Sequence, residues 1–490
     1  MQANPSDVRT YSMLIDGAWV SEGDGGFIEV ENPAREEAFA RVPAAGPEQI
    51  DAAVKAADRA FGTWKQAGPL DRARLLFDAA ALVREREGDL AALMTQEEGK
   101  PYNEALGEVR KGAEILQFYG EEAKRLDGRY IPGHDPTTTS YVVYEPVGVA
   151  AGISPWNYPI ELVAWKVGGA LAAGSTLVIK TPSETPLSPR GFIECVHDAG
   201  APAGVINVVF GRGSVVGPHL VKHPLVKKVA FTGSTQVGRQ IVQWCAEGMK
   251  KLSLELGGHC PLIVSDKADL AEAVKGATRR SFRNMGQICI AINRIYVQQS
   301  VYEEFLNAFA AETRKLSIAD GMERKDADLG PMASRSGLDK VIEHVEDAKA
   351  KGARLLTGGK RPEGFAAGYF YEPTILADCT KEMLIMHEET FGPAVGVAPY
   401  KTVDEAIALA NDTPYGLATY VYTDDLHESD AFMRGLEAGN VSINNPDAGV
   451  INAPYGGFKE SGMGYEHGPE GLSEYLQAKH VRTRYFNRRR

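Results

Sequence analysis

Between residues 147 and 256 the chain alternates short β-branched runs with stretches of helical spacing, and this restricts the fold more than any other feature of its 490 residues. The runs are "VGVAAGIS", "STLVIK", "VINVVF", "VKKVAF" and "KKLSLEL". Between them lie "YPIELVAWKVGGALAAG", a helix after "TPSETPLSP", a shorter helix, and "TQVGRQIVQWCAEG". Apolar strands separated by helix-length segments predict a parallel sheet covered on both faces, because parallel neighbours need a crossover. The fold class is therefore α/β, with a doubly wound dinucleotide-type sheet whose ligands sit beyond the carboxyl ends of the strands.

Upstream, "IDAAVKAADRAFGTW" and "DRARLLFDAAALVREREGDLAALMTQEEG" have the spacing of long amphipathic helices. Downstream of "ELGGHCP" the strand and helix pattern restarts around Cys289, "YEPTIL", "ETFGPAVGVAPY" and "NVSINN", which predicts a second α/β unit. The length agrees with two or three units at roughly 150 residues each. A net charge of −12 opposes a nucleic-acid partner, since phosphate binding needs concentrated basic surface. The one basic run, Arg488-Arg489-Arg490, reads as a solvated end. Five widely spaced cysteines (Cys195, Cys245, Cys260, Cys289, Cys379) fit neither a disulfide framework nor a metal site, so no metal is expected and the compartment is reducing. No signal-peptide-like or membrane-spanning apolar run is visible, which makes the cytoplasm the expected location and excludes a membrane partner.

Three strand ends carry suggestive residues. "FTGSTQVG" puts Gly233 and Ser234 between a strand and a helix, where unpaired N–H groups could receive a pyrophosphate, although such a turn is also common without a ligand. Lys180 ends "STLVIK" and could donate to ribose hydroxyls or a phosphate, or be an ordinary strand-end lysine. Glu255 ends an apolar strand, where partial desolvation would raise its pKa toward that of a general base; a surface carboxylate is the alternative. Asn157, in "PWNYP", could aim its amide at an oxyanion or simply shape the turn. Cys289 in "RNMGQICIAI" is by itself better explained by a small buried hydrophobe than by a nucleophile.

With "PWNYP", "FTGSTQVG", "LELGGHCP", "GQICIAINRIYV", "HEETFGP" and "PYGGFKESGMG" present in order, the chain resembles the aldehyde dehydrogenase superfamily over about residues 11 to 485. Its motifs are nearest to those of semialdehyde dehydrogenase-like members. The resemblance implies NAD(P)-dependent oxidation of an aldehyde, a short semialdehyde among the candidates, to the carboxylic acid. Cys289 would be the nucleophile, in a positive environment that favours its thiolate. Asn157 and the Cys289 N–H would hold the oxyanion, and Glu255 would activate water against the thioester. Ile153, Ser154, Pro155, Trp156, Lys180, Ser183, Glu184, Gly213, Gly233, Ser234, Leu256, Glu389 and Phe391 would form the cofactor path. NAD-preferring relatives often place Glu three residues after the lysine; here that position is Ser183, with Glu184 one place on, which puts NADP ahead of NAD unless Glu184 turns inward.

Three positions bear on substrate. Arg283 matches an arginine that semialdehyde dehydrogenases place before the cysteine, and is otherwise a structural ion pair. Trp165 and Val450 stand where those relatives have a second arginine and a serine, which leaves a carboxylate one charged anchor. The implied parts are a Rossmann-type cofactor domain (1–124 and 144–256), a catalytic domain (257–456) and a small β oligomerisation element (125–143 and 457–490). That element predicts a dimer or tetramer. Two rival readings are a coenzyme A-acylating relative, in which Glu255 would have no water to activate, and a catalytically silent binding protein on the same fold.

Overall fold

The computed structural model describes residues 8–486; the Arg488-Arg489-Arg490 run lies outside the described residues. Five parallel strands form the centre of the first sheet, in the order Lys251–Glu255, Val226–Thr232, Val149–Ile153, Thr176–Lys180, Ile206–Val209. The three central strands are buried almost without exception, as their apolar runs require in a sheet covered on both faces. The chain winds outward from Val149–Ile153 in one direction and returns to its other side with Val226–Thr232. This reversal opens a crevice at the carboxyl ends of the two strands.

Two additions at the sheet edges were not visible in the sequence pattern. An antiparallel hairpin, Met13–Ile15 and Ala18–Val20, extends the sheet beyond Ile206–Val209. On the opposite edge Gly462–Met463 pairs antiparallel with Leu254 and Glu255. Gly462 has φ +155°, and a Cβ there would lie 2.1 Å from the Leu254 carbonyl, so only glycine allows this approach. Gly462–Met463, expected in the oligomerisation element, thus lies on the first sheet, and the helix Gly468–Ser473 that follows packs against Glu161–Ala173. The long helix expected over 71–99 is two, Pro69–Glu85 and Glu87–Glu98, because Arg86 leaves the helical region at φ −100°, ψ 13°.

A second, seven-stranded sheet runs Arg354–Thr357, Thr374–Ala377, Ala394–Tyr400, Ile292–Gln298, Cys260–Val264, Ala418–Tyr422, Asn440–Ile443, parallel except at its first pair. Each sheet has its own apolar core. A third, three-stranded sheet joins Arg129–Pro132, Thr138–Pro146 and Leu476–Arg484, and carries exposed Tyr130, Ile131, Tyr141, Val143 and Tyr144.

Candidate active site

Four parallel strands deliver site residues at their carboxyl ends. Ile153 ends the central strand, and the chain continues through buried Ser154 and half-buried Pro155 and Trp156 to buried Asn157. The Ser154 Oγ is buried without a hydrogen-bond partner, and so is Thr181 Oγ1 beyond Lys180. Lys180 is 6% exposed and makes no ion pair among the described residues; burial lowers its pKa to about 8, opposed by the nearby Glu184 carboxylate. Ser183 Oγ donates to the Gly211 carbonyl at 3.2 Å, beside the turn that leads through exposed Arg212 and Gly213 into the helix Gly213–Lys222. Glu184 is exposed rather than turned inward.

Ser234 is the N-cap of Thr235–Ala246, its Oγ accepting from the Val237 N–H at 3.4 Å. Gly233 lies so close to the Phe231 ring that a Cβ would come within 2.5 Å of it. Glu389 comes from the second unit: its Oε1 accepts from the Gly258 N–H at 3.1 Å, and burial raises its pKa to about 7. Phe391, with φ +53°, packs edge-on to Trp156 at 5.5 Å between centroids. Leu256, 7% exposed, donates its N–H to the Ser461 carbonyl. Unpartnered buried hydroxyls, an unpaired lysine and a glycine-lined helix start at one crevice fit a dinucleotide.

Cys289 is positioned differently. The helix Leu270–Phe282 ends, and Asn284, Met285 and Gly286 follow with φ of +49°, +57° and +69°. Asparagine and glycine tolerate this region, whereas methionine is held there at a cost of roughly 1 kcal/mol or more. The surroundings hold the loop in place. Asn284 Nδ2 donates to Glu98 Oε1 (2.8 Å) and to the Asn157 carbonyl (3.1 Å), and its N–H donates to Glu104 Oε2. Gln287 Nε2 donates to the Asn284 carbonyl, and Gln287 Oε1 accepts from the Ala333 N–H. A Cβ on Gly286 would lie 2.2 Å from the Gly392 carbonyl. These contacts fix the loop that carries Cys289.

Asn157 Nδ2 donates to the Gln287 carbonyl at 2.8 Å, which spends one of its two amide hydrogens. The Cys289 N–H makes no hydrogen bond among the described residues, so it and the second Asn157 amide hydrogen remain unpaired. The Asn157 carbonyl accepts from Lys100 Nζ at 2.8 Å, and Lys100 is paired with buried Glu98 and Glu108. This buried network was not read from the sequence, because its members are spread over two helices, the link between them and a distant turn.

Glu255 is 4% exposed, and both its carboxylate oxygens are buried without a hydrogen-bond partner. Burial holds its pKa well above the usual carboxylate range; Glu466 adds to the shift and Lys166 opposes it. Lys166 Nζ donates to Glu466 Oε1 at 2.8 Å and to Thr232 Oγ1 at 2.7 Å. The thiol of Cys289 is displaced upward too, by burial first and then by Cys260, Glu255 and Glu389; only a hydrogen bond with Tyr455 lowers it. Burial thus opposes a thiolate at Cys289, and the Glu255 and Glu389 carboxylates add to that opposition. Tyr455 Oη lies 3.8 Å from the sulfur.

The expected substrate contacts fare unequally. Arg283 Nε donates to Glu104 Oε1 at 2.9 Å, so its guanidinium is already ion-paired at one edge, with the side chain 32% exposed. Trp165 is 2% exposed and stacks on His467 at 3.6 Å between centroids, its indole N–H buried without a partner. Val450 is 58% exposed, and its carbonyl faces His467 Nδ1. Tyr455, His467, Lys166 and Glu466 were not singled out from the sequence, although "PYGGF" contains the first and "GYEHG" follows that motif. No cluster of three or more His, Cys, Asp or Glu able to hold a metal ion occurs among the described residues.

The chain and its fold match a known group. Residues 19–481 match the family model described as "Aldehyde dehydrogenase family". The chain is 43% identical to a glutarate-semialdehyde dehydrogenase of Pseudomonas putida, covering 98% of this chain and 99% of that protein. It is 43% identical, with the same coverage, to an NADP(+) succinate-semialdehyde dehydrogenase of Escherichia coli, and 44% identical to a Pseudomonas putida 3-sulfolactaldehyde dehydrogenase over 96% of each chain. A solved structure described as an E. coli NADP-dependent enzyme superposes with a TM-score of 0.95 at 42% identity, covering 99% of this chain and 100% of that one. The chain belongs to the aldehyde dehydrogenase family. It is an oxidoreductase that oxidises an aldehyde to the carboxylic acid with NAD(P).

Proposed function

We propose that Cys289 carries the acyl group, that Glu255 is the base that releases it, and that the substrate is a short aldehyde with an anionic end. The observation that carries the reading is the convergence of a thiol, a buried unpartnered carboxylate and two free N–H donors at the crevice of the first sheet. The sulfur attacks the aldehyde carbon, and the new oxyanion is held by Asn157 Nδ2 and the Cys289 N–H. A nicotinamide held along this path would take up the hydride that this carbon releases, leaving a thioester on Cys289. Glu255 then takes a proton from water, the hydroxide adds to the thioester carbon, and the C–S bond breaks as the sulfur leaves as the thiolate that began the cycle. Burial that disfavours the carboxylate makes Glu255 a stronger proton acceptor, once ionised, than an exposed glutamate.

NADP is favoured over NAD in this reading. No carboxylate stands at position 183, Glu184 is exposed, and Lys180 with the neighbouring Arg212 offers cations to a 2′-phosphate. Relatives named for succinate and glutarate semialdehydes support the substrate class. Arg283 would serve as its single charged anchor through the Nη edge that Glu104 leaves free. The three-stranded sheet, with its exposed tyrosines, would join copies of the chain into a dimer or tetramer, and five free thiols suit the cytoplasm.

The test is formation of reduced cofactor with a panel of short semialdehydes and neutral aldehydes, with NADP and NAD, with and without coenzyme A. The reading expects semialdehydes to give the higher kcat/KM, no need for coenzyme A, and loss of the preference in Arg283→Ala. Equal efficiency across the panel would remove Arg283 from the substrate site. A strict requirement for coenzyme A would replace hydrolysis by acyl transfer, and no reduction at all would favour the silent protein.

A further inference from the structure

Three rings run in line from the interior to the nucleophile. Trp165 stacks on His467 at 3.6 Å and 15°, His467 stacks on Tyr455 at 4.7 Å and 18°, and Tyr455 Oη stands 3.8 Å from Cys289 Sγ. His467 Nδ1 meets the Val450 carbonyl at 3.3 Å, which as a donor fixes the tautomer and the ring plane. Its backbone is unusual: φ 59°, ψ 170° is a region populated almost only by glycine, and such strain persists only where the surroundings enforce it. Glycine would relieve the strain and forfeit the ring. Tyr455 Oη is the only side-chain group hydrogen-bonded to the thiol among the described residues, and burial with the Glu255 and Glu389 carboxylates opposes its ionisation.

We propose that Tyr455 is a catalytic residue whose hydroxyl donates to the Cys289 sulfur as its charge develops, and that His467 is a positioning residue that clamps the Tyr455 ring between itself and the active site. The proposal rests on Cys289 being the nucleophile. Charge on Cys260, Glu255 and Glu389 opposes a thiolate at the sulfur, to which Tyr455 Oη is hydrogen-bonded; Cys289, Glu255, Tyr420 and Cys260 act likewise against ionisation of Tyr455. All but Tyr455 disfavour a thiolate in this pocket, so the one O–H donor has a large share in stabilising it. Lys111 and Lys166 lie toward His467, and burial lowers the imidazole pKa to about 3, so the clamp is a neutral ring at every working pH.

The experiment is alkylation of Cys289 by iodoacetamide, followed by mass spectrometry from neutral to alkaline pH, beside kcat/KM for a small aldehyde. Tyr455→Phe keeps the ring and removes the hydroxyl; the alkylation rate constant should fall about tenfold, with kcat/KM in parallel and cofactor affinity unchanged. His467→Gly should reproduce about half of that logarithmic loss, and His467→Phe, which restores a flat ring, should recover to within about twofold of the parent. Tyr455→Phe/His467→Gly should be no slower than Tyr455→Phe alone, because the clamp acts only through the hydroxyl. Should His467→Gly fail to fold, His467→Leu carries the same expectation, since it keeps bulk without a stacking face. A Tyr455→Phe rate within twofold of the parent would overturn the role of the hydroxyl, and additive losses in the double variant would overturn that of His467. Alkylation reads the sulfur without turnover, so these outcomes are separable from an acyl group found on another residue.

Discussion

At the rim of the first sheet, Ile153, Lys180, Thr232 and Glu255 each end a parallel strand; Cys289 instead follows three consecutive residues of positive φ. The strand ends are placed by ladder hydrogen bonds to their neighbours, such as Thr232 paired with Glu255 and Ile153 with Lys180. The cysteine loop is placed by side chains far away in sequence: Glu98 and Glu104 on Asn284, the Asn157 amide on the Gln287 carbonyl, and the Gly392 carbonyl against Gly286. The difference separates chemistry from geometry. A side chain lost from a strand end removes a function and leaves its neighbours in register, whereas a change in the loop moves the sulfur.

The largest effect belongs to the atom both regions serve. Cys289→Ala should lower turnover by on the order of 10⁴-fold or more, as removal of a nucleophile does elsewhere. Cys260→Ala, in which the sulfur lost donates only to the Cys289 carbonyl, should keep most of it; equal losses would dissolve the distinction between the two cysteines. Glu255→Gln, a strand-end change, should lower steady-state turnover about 10²- to 10⁴-fold while leaving the first burst of reduced cofactor and the fold intact. Because burial and Glu466 raise the Glu255 pKa, the parent deacylates faster as pH rises through that displaced value, and this limb should vanish in Glu255→Gln. Loss of the burst as well would make Glu255 part of acylation.

Gly286→Ala probes the loop without touching a reacting group. Its methyl group meets a carbonyl and requires a positive φ, so we expect about 10²-fold lower kcat together with a lower Tm. A normal kcat would show that the loop tolerates displacement and would erase the contrast. Smallest is Ser183→Glu, which should cut the NADP to NAD preference about tenfold by like-charge repulsion and leave kcat alone. An unchanged ratio would detach position 183 from cofactor choice.

Legibility in the sequence follows the same division. Strand ends are readable because burial on both faces forces continuous β-branched runs, and their last residues inherit a defined place in space; hence Lys180, Gly233, Ser234 and Glu255 lie where their spacing puts them. The edge strands escaped because Met13–Ile15 and Gly462–Met463 are too short to show a period. The helix break at Arg86 escaped because "REREGD" has neither proline nor a turn motif at the break. Around Cys289 the reading was least complete. Tyr455, hydrogen-bonded to the sulfur, was not read at all, and Arg283 turned out to be paired with Glu104, 179 residues away in sequence. Contacts between residues that distant leave no local pattern, and His467 was invisible because a strained φ is a property of the folded chain.

The central claim concerns where the substrate is held. Parent and Glu255→Gln protein would be mixed with aldehyde and NADP, quenched within the burst and digested for mass spectrometry. The account predicts an acyl group, oxidised by two electrons relative to the aldehyde, on the peptide containing Cys289, and more of it in Glu255→Gln than in the parent. An acyl group on any other side chain, or turnover with no covalent adduct in either protein, would contradict it.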